Sequence, residues 1–212
     1  MKKPAALLTI ALVCASHLNA QDEKAVRLGL EICPNIGLLS SDDKTYTSDG
    51  SKIGFRFGLL GDFRLGANAN YFFSTGLFLN NIGANTKTTL ADSAKTVFKA
   101  ESKYQYVELP ITVKLKTNEI GYMTYFGQIG FDAGVRVAAK GKLEGGDYED
   151  IGEGANILRI ALAVGGGFEY NFSGNTSAIV GVKYSNAFTS VNDSDGPKAK
   201  LHYVELTVGA LF

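Results

Sequence analysis

The side chains best placed to do chemistry in this 212-residue chain are charged ones set singly into alternating stretches. Glu31, Arg56, Glu108, Asp132, Lys183 and Glu205 each share one face with mostly small or polar residues, and back onto a face of Leu, Ile, Val and Phe. Arg27, Asp62, Arg64, Lys114, Arg136, Arg159 and Glu169 obey the same alternation. Acids and bases gathered on one face have two uses. They can neutralise one another as a packed network, because a lone buried charge is costly and a paired one is tolerated. They can also pass a proton or an ion along a path.

Other chemistry is thinly represented. His202 is the one histidine after residue 20, on the outward face near the end of the last stretch. A lipid-facing His–Ser–acid set, of the kind lipid A deacylase barrels use, would have to draw its serine from another strand, because the next outward residue is Val204. Acidic clusters at Asp42 and Asp43, at Asp147, Glu149, Asp150 and Glu153, and at Asp193 and Asp195 could offer oxygen ligands, yet none matches the twelve-residue calcium loop. The glycines at 165–167 lack the strand–turn–helix setting of a dinucleotide site. Nothing here calls for a cofactor. Pro110, which cannot donate to a ladder, predicts a bulge in its strand.

The elements that carry these charges are legible from period two. In "KIGFRFGLLGDFRL", Ile53, Phe55, Phe57, Leu59 and Phe63 alternate with Gly54, Arg56, Gly58, Asp62 and Arg64. Comparable alternation begins at Val26, Tyr71, Tyr106, Met123, Ile157, Ser177 and Leu201, which makes eight strands. Within the third stretch Phe72 and Phe78 blur the second face. Connections at 40–51, 83–103, 140–156 and 188–200 are long and polar, and those at 66–70, 117–122 and 172–176 are short. Long and short ends on opposite sides of an even-numbered meander are expected of an outer-membrane barrel with periplasmic short turns and both termini periplasmic.

Residues 1–20 read as a signal peptide, with Lys2 and Lys3, an apolar run from Ala5 to Ala15, and a small residue, Ala20, at the cleavage point. Lipoprotein processing at Cys14 would want a small residue before it, where Val13 stands. The domain expected to fold is therefore 21–212. Removing Lys2 and Lys3 from 21 basic residues leaves 19 against 21 acidic, a net charge of −2 with no electrostatic footprint for nucleic acid. Cys33 is then the single thiol, so no internal disulfide framework can form.

Which face points inward separates a soluble ligand barrel from a membrane one. Eight strands leave an interior only wide enough for side chains to fill. The apolar set is too bulky for that space, whereas glycine, serine, threonine and opposite charges fit it. The phenylalanines are therefore expected to face lipid, and the charges a narrow polar lumen. Counting from the short-turn ends, Glu31, Arg56, Glu108, Asp132, Lys183 and Glu205 should lie near mid-height, with Lys183 and Glu205 close enough to pair. Phe63, Tyr71, Tyr125, Tyr170 and Phe212 end their strands on the short-turn side and are expected to form an interfacial aromatic ring at the periplasmic rim.

"YVELPITVKLK", Tyr106 to Lys116, resembles the fourth-strand signature of the PorT-like outer-membrane β-barrel family of Bacteroidetes-type bacteria, with Glu108-Leu109-Pro110 its most specific step. "GQIGFDAGV", "GGGFEYNF" and "VGVKYSNAF" resemble the following strands, and terminal Phe212 is similar to a barrel sorting signal. Asp92-Ser93-Ala94 is similar to the O-glycosylation sequon of those bacteria. The resemblance implies an eight-stranded outer-membrane barrel whose partners are outer-membrane lipid and other envelope or secretion proteins. The function expected is structural or interactive rather than enzymatic, as an accessory of envelope secretion or assembly. A narrow transport barrel for small solutes or ions, and a lipid-modifying enzyme, are the alternatives.

Overall fold

The computed structural model describes residues 25–41, 46–66, 70–89, 97–173, 176–192 and 198–212. The leader at 1–20, Asp42 and Asp43, the Asp92-Ser93-Ala94 triplet, and Asp193 and Asp195 lie outside the described residues. The alternating stretches form β1 (Val26–Ser41), β2 (Tyr46–Arg64), β3 (Tyr71–Thr89), β4 (Val97–Lys116) and β5 (Met123–Leu143). After a two-residue strand, β6 (Glu149–Asp150), come β7 (Leu158–Ser173), β8 (Thr176–Ser190) and β9 (Ala199–Leu211).

Sequence neighbours pair antiparallel, β5 reaches past β6 to pair with β7, and β1 with β9 closes the ring. The wall is a closed eight-stranded antiparallel barrel, with β6 a small addition to β5 at one rim. At the seam Leu28 and Phe212 exchange backbone hydrogen bonds of 3.1 and 2.8 Å. Closure leaves no open edge, which the bilayer core requires because it offers no water to unpaired amides. The β2–β3 and β4–β5 turns pass through Gly66 and Gly121 at φ 70° and 68°, where a Cβ would be strained.

The two faces sort as the alternation predicts. Leu30, Ile32, Ile53, Phe55, Ile129 and Leu206 are exposed on the outside, whereas Glu31, Arg56, Asp132 and Glu205 are buried within. Three phenylalanines break the expectation that all of them face lipid. Phe72, Phe78 and Phe126 are buried in the lumen, so parity outranks hydrophobicity at these positions. The barrel makes room by setting glycines against large side chains. Glu31 stands between Gly58 and Gly209, and Glu108 faces Gly134, where an added Cβ would lie 3.1 Å from the Glu108 Cγ.

Two further expectations are corrected. The segment 83–103 is mostly strand, since β3–β4 pairing continues from Gly83↔Lys103 to Thr89↔Val97. Alternation fades there because beyond the apolar band both faces are polar, while the backbone ladder persists. The bulge lies on the partner strand and not at Pro110: consecutive Gln105 and Tyr106 of β4 pair with Ala138 and Arg136, which leaves Val137 of β5 as the extra residue. Pro110 keeps its register with Asp132, and the β3–β4 ladder skips from Thr75↔Ile111 to Phe78↔Glu108 around the missing donor.

Tight packing of the lumen gives a direct test. A Cβ on Gly167 would come 2.2 Å from the Val180 carbonyl oxygen and 2.9 Å from the Phe126 ring, whereas one on lipid-facing Gly127 meets nothing within 4 Å. Gly167→Ala should therefore lower the stability of the detergent-folded barrel by about 1–3 kcal/mol in denaturant unfolding. Gly127→Ala should stay within about 0.5 kcal/mol of the parent.

Candidate functional site

Among the described residues, opposed charges gather out of water in the lumen. Arg56 comes from β2 and sits at its centre, with Nη1 3.1 Å from Glu205 Oε1 and 3.9 Å from Glu31, and Nε 3.4 Å from Glu108. Lys183 from β8 bridges Asp132 and Glu205, at 3.1 Å to each. Arg159 from β7 donates to Glu108 at 3.1 Å and to the Ser185 hydroxyl at 3.0 Å. All six residues assigned to mid-height from the alternation are thus in one connected cluster. The expected Lys183–Glu205 contact is present, and Lys183 has a second carboxylate that counting along strands could not supply.

Neutral groups complete the network. The Tyr203 hydroxyl lies 3.3 Å from both Glu108 and Asp132, and Asn80 donates to Glu108 and accepts from Asn35, each at 3.0 Å. Glu108 and Asp132 are fully buried, so this density of donors offsets the desolvation of their charge. The Arg56 guanidinium rests on the Phe78 ring, 3.4 Å from its centroid, and Arg159 lies 5.0 Å from that of Tyr203. The luminal phenylalanine is therefore a lid on a cation as well as filler.

A second ionic layer lies toward the short turns. Asp62 accepts from Lys114 at 2.9 Å and Lys116 at 3.2 Å, and also from the Ser74 hydroxyl. Lys116 continues to Glu169 at 2.6 Å, and Glu169 pairs with Arg27. Between the layers Leu60, Phe78, Phe126, Ile179 and Leu211 form an apolar plug. A larger cluster that includes Tyr104, Tyr106, Ile82 and Leu201 closes the other end. The cavity beside Glu31, Arg56, Lys183 and Glu205 measures about 20 Å³, about the volume that admits one water molecule.

Lys116 and Asn80 are members of the network that the sequence reading passed over. Asn80 sits one residue past the end of its alternating stretch and Lys116 is the last residue of its own, and continuing the parity of Ser74 and of Lys114 would have included them. Phe63, Tyr71, Tyr125 and Phe212 are exposed, and Tyr170 is partly covered by Tyr122 and Phe172. All five stand at strand ends beside the short turns or the β1–β9 seam. His202 is set outward between Leu38 and Asn186, so neither cross-strand partner is a nucleophile or an acid.

Residues 19–153 match the family described as outer membrane protein beta-barrel domain. Among solved structures, Neisserial surface protein A is 17% identical over 90% of this chain and 98% of that one, with a TM-score of 0.50. The attachment invasion locus protein Ail of Yersinia pestis is 18% identical over 90% of this chain and 100% of that one, with a TM-score of 0.42. At such identities the likeness is one of fold. No curated protein sequence matches the chain.

The shared cation sets up a double-mutant test. Lys183→Met leaves two buried carboxylates short of a partner and should cost roughly 3–5 kcal/mol in urea unfolding of the folded barrel. Adding Asp132→Leu should recover much of the loss, because Glu205 keeps Arg56. Adding Glu205→Leu should recover less, because Asp132 remains without its cation. Additive losses in both pairs would mean that these side chains act independently.

Proposed function

The chain belongs to the outer membrane protein beta-barrel domain family, and from that premise we propose that it serves as a structural or interaction barrel, an accessory of envelope secretion or assembly. In this reading it sits in outer-membrane lipid with both termini and the short turns on the periplasmic side. The observation that carries the reading is the filled lumen. Two ionic layers and two apolar clusters leave a cavity of about 20 Å³ beside the central charges, so a solute would have to break several buried ion pairs to pass. The likeness of Tyr106–Lys116 to the PorT-like signature supports the secretion or assembly part of the proposal. What remains for interaction is the outside of the wall and the tall rim formed by β2 to β5.

The transport alternative makes the opposite demand on the same lumen. Reconstituted into planar bilayers, the folded protein should give no stable currents of porin size. Arg56→Ala combined with Phe78→Ala, which removes the central cation and the ring beneath it, should raise the frequency of openings. Porin-like conductance in the unmodified protein would overturn the structural reading in favour of transport. Affinity capture from native envelopes, with the folded barrel as bait, should recover a reproducible envelope or secretion protein if the accessory role is right.

A further inference from the structure

The central ionic layer does not balance. Its carboxylates are Glu31, Glu108, Asp132 and Glu205 and its cations Arg56, Arg159 and Lys183, so four negative groups meet three positive ones. The shortfall falls on Glu31. Glu205 has Arg56 and Lys183 at 3.1 Å, Glu108 has Arg159 at 3.1 Å and Arg56 at 3.4 Å, and Asp132 has Lys183 at 3.1 Å. Glu31 has Arg56 alone, at 3.9 Å, although its side chain is buried. The layer nearer the short turns holds one cation to spare, with Arg27, Lys114 and Lys116 against Asp62 and Glu169. Among the described residues, every ion pair of those three cations ends on Asp62 or Glu169.

A second observation marks the same spot. Glu205 is 1% exposed and its Oε1 takes both cations, yet its Oε2 is buried with no hydrogen-bond partner. Glu31 and Glu205 both line the cavity of about 20 Å³, beside Gln128 and Thr207. That volume admits one water molecule. The groups facing Glu31 are Arg56 from β2, Lys114 from β4, Lys183 from β8 and Glu205 from β9, with Cys33 on its own strand. The three cations already serve other carboxylates, and Glu205 repels a second negative charge. A buried carboxylate in such a place sheds its charge by taking up a proton. Protonation also makes it a donor, which is what the idle Glu205 oxygen lacks.

We propose that the central layer binds one proton, carried by Glu31 as a neutral carboxyl that donates to Glu205 Oε2 through the water the cavity admits. The proton stands in for the missing fourth cation. It comes from solvent as the barrel folds, forms an O–H bond on Glu31, and returns to solvent on unfolding. The inference is independent of the accessory role, because it rests only on the ion pairs and the cavity of the lumen.

The test reads the proton in the full barrel, folded in zwitterionic detergent at neutral pH, where exposed carboxyls are ionised. Infrared spectra of the parent should show a carboxylic acid carbonyl band above amide I that shifts in heavy water. Glu31→Gln, which keeps the shape and donor of the protonated form, should abolish that band. This variant should unfold in urea at a midpoint no lower than the parent's, whereas Glu205→Gln, which deprives two cations of their shared carboxylate, should lower it. Unfolding of the parent releases a proton that Glu31→Gln never held. The ratio of the parent's unfolding constant to the variant's should therefore rise about tenfold per pH unit above the ordinary glutamate value of about 4.3, while the folded barrel keeps its proton. Absence of the band from the parent overturns the proposal, and that reading needs no variant to fold. Persistence of the band in Glu31→Gln, or a loss of stability as large as that of Glu205→Gln, overturns it too. A midpoint that rises with sodium in the parent but not in Glu31→Gln would put a metal cation in the cavity instead of a proton, and sink the assignment.

Discussion

Everything inside this barrel answers to the small radius of eight strands. The interior admits side chains and little else, so a charge placed there has no water and must find its counterion across the lumen. Arg56 does this for three carboxylates, and Lys183 for two. The same lack of room explains why Glu31 and Glu108 stand against glycines, and why Arg56 is pressed over the Phe78 ring. Electrostatics and volume are here a single constraint, because a side chain that fills the space also brings the charge that must be neutralised.

On the proposed reading, that constraint gives the lumen a structural part. With ionic layers separated by apolar clusters, the inside acts as a stiffener of the wall. The outside is then divided by depth. An exposed apolar band sits in lipid, short turns close one rim, and the longer strands β2 to β5 form the other. The filled lumen and the exposed wall together are what support the proposed interaction role.

Most of the fold was legible because period two is a strong signal wherever one face meets lipid and the other a packed lumen. The strands carrying Arg56, Glu108 and Glu205 can be drawn from alternation alone, and so can the inward direction of each charge. Legibility failed where that contrast weakens. Above the band, residues 83–89 and 97–103 are polar on both faces and read as loop although they pair to their ends. Near the turns Lys116 was passed over, because it is the last residue of its stretch and no following outward residue marks its parity.

The sequence by itself determined the strand count, the antiparallel order, the inside and outside of each strand, and the set of ions that must share a lumen. These follow from parity and bulk, which are local properties. Only the tertiary structure decided which ion meets which. Lys183 reaches Asp132 two strands of the wall away as well as Glu205 on the adjacent strand, and Arg56 likewise reaches Glu108 across two ladders. Such contacts depend on barrel stagger and side-chain reach, which no single strand encodes. The inward Phe78 shows the same division. Its parity is written in the chain, but the cation that makes an aromatic ring useful there comes from a different strand.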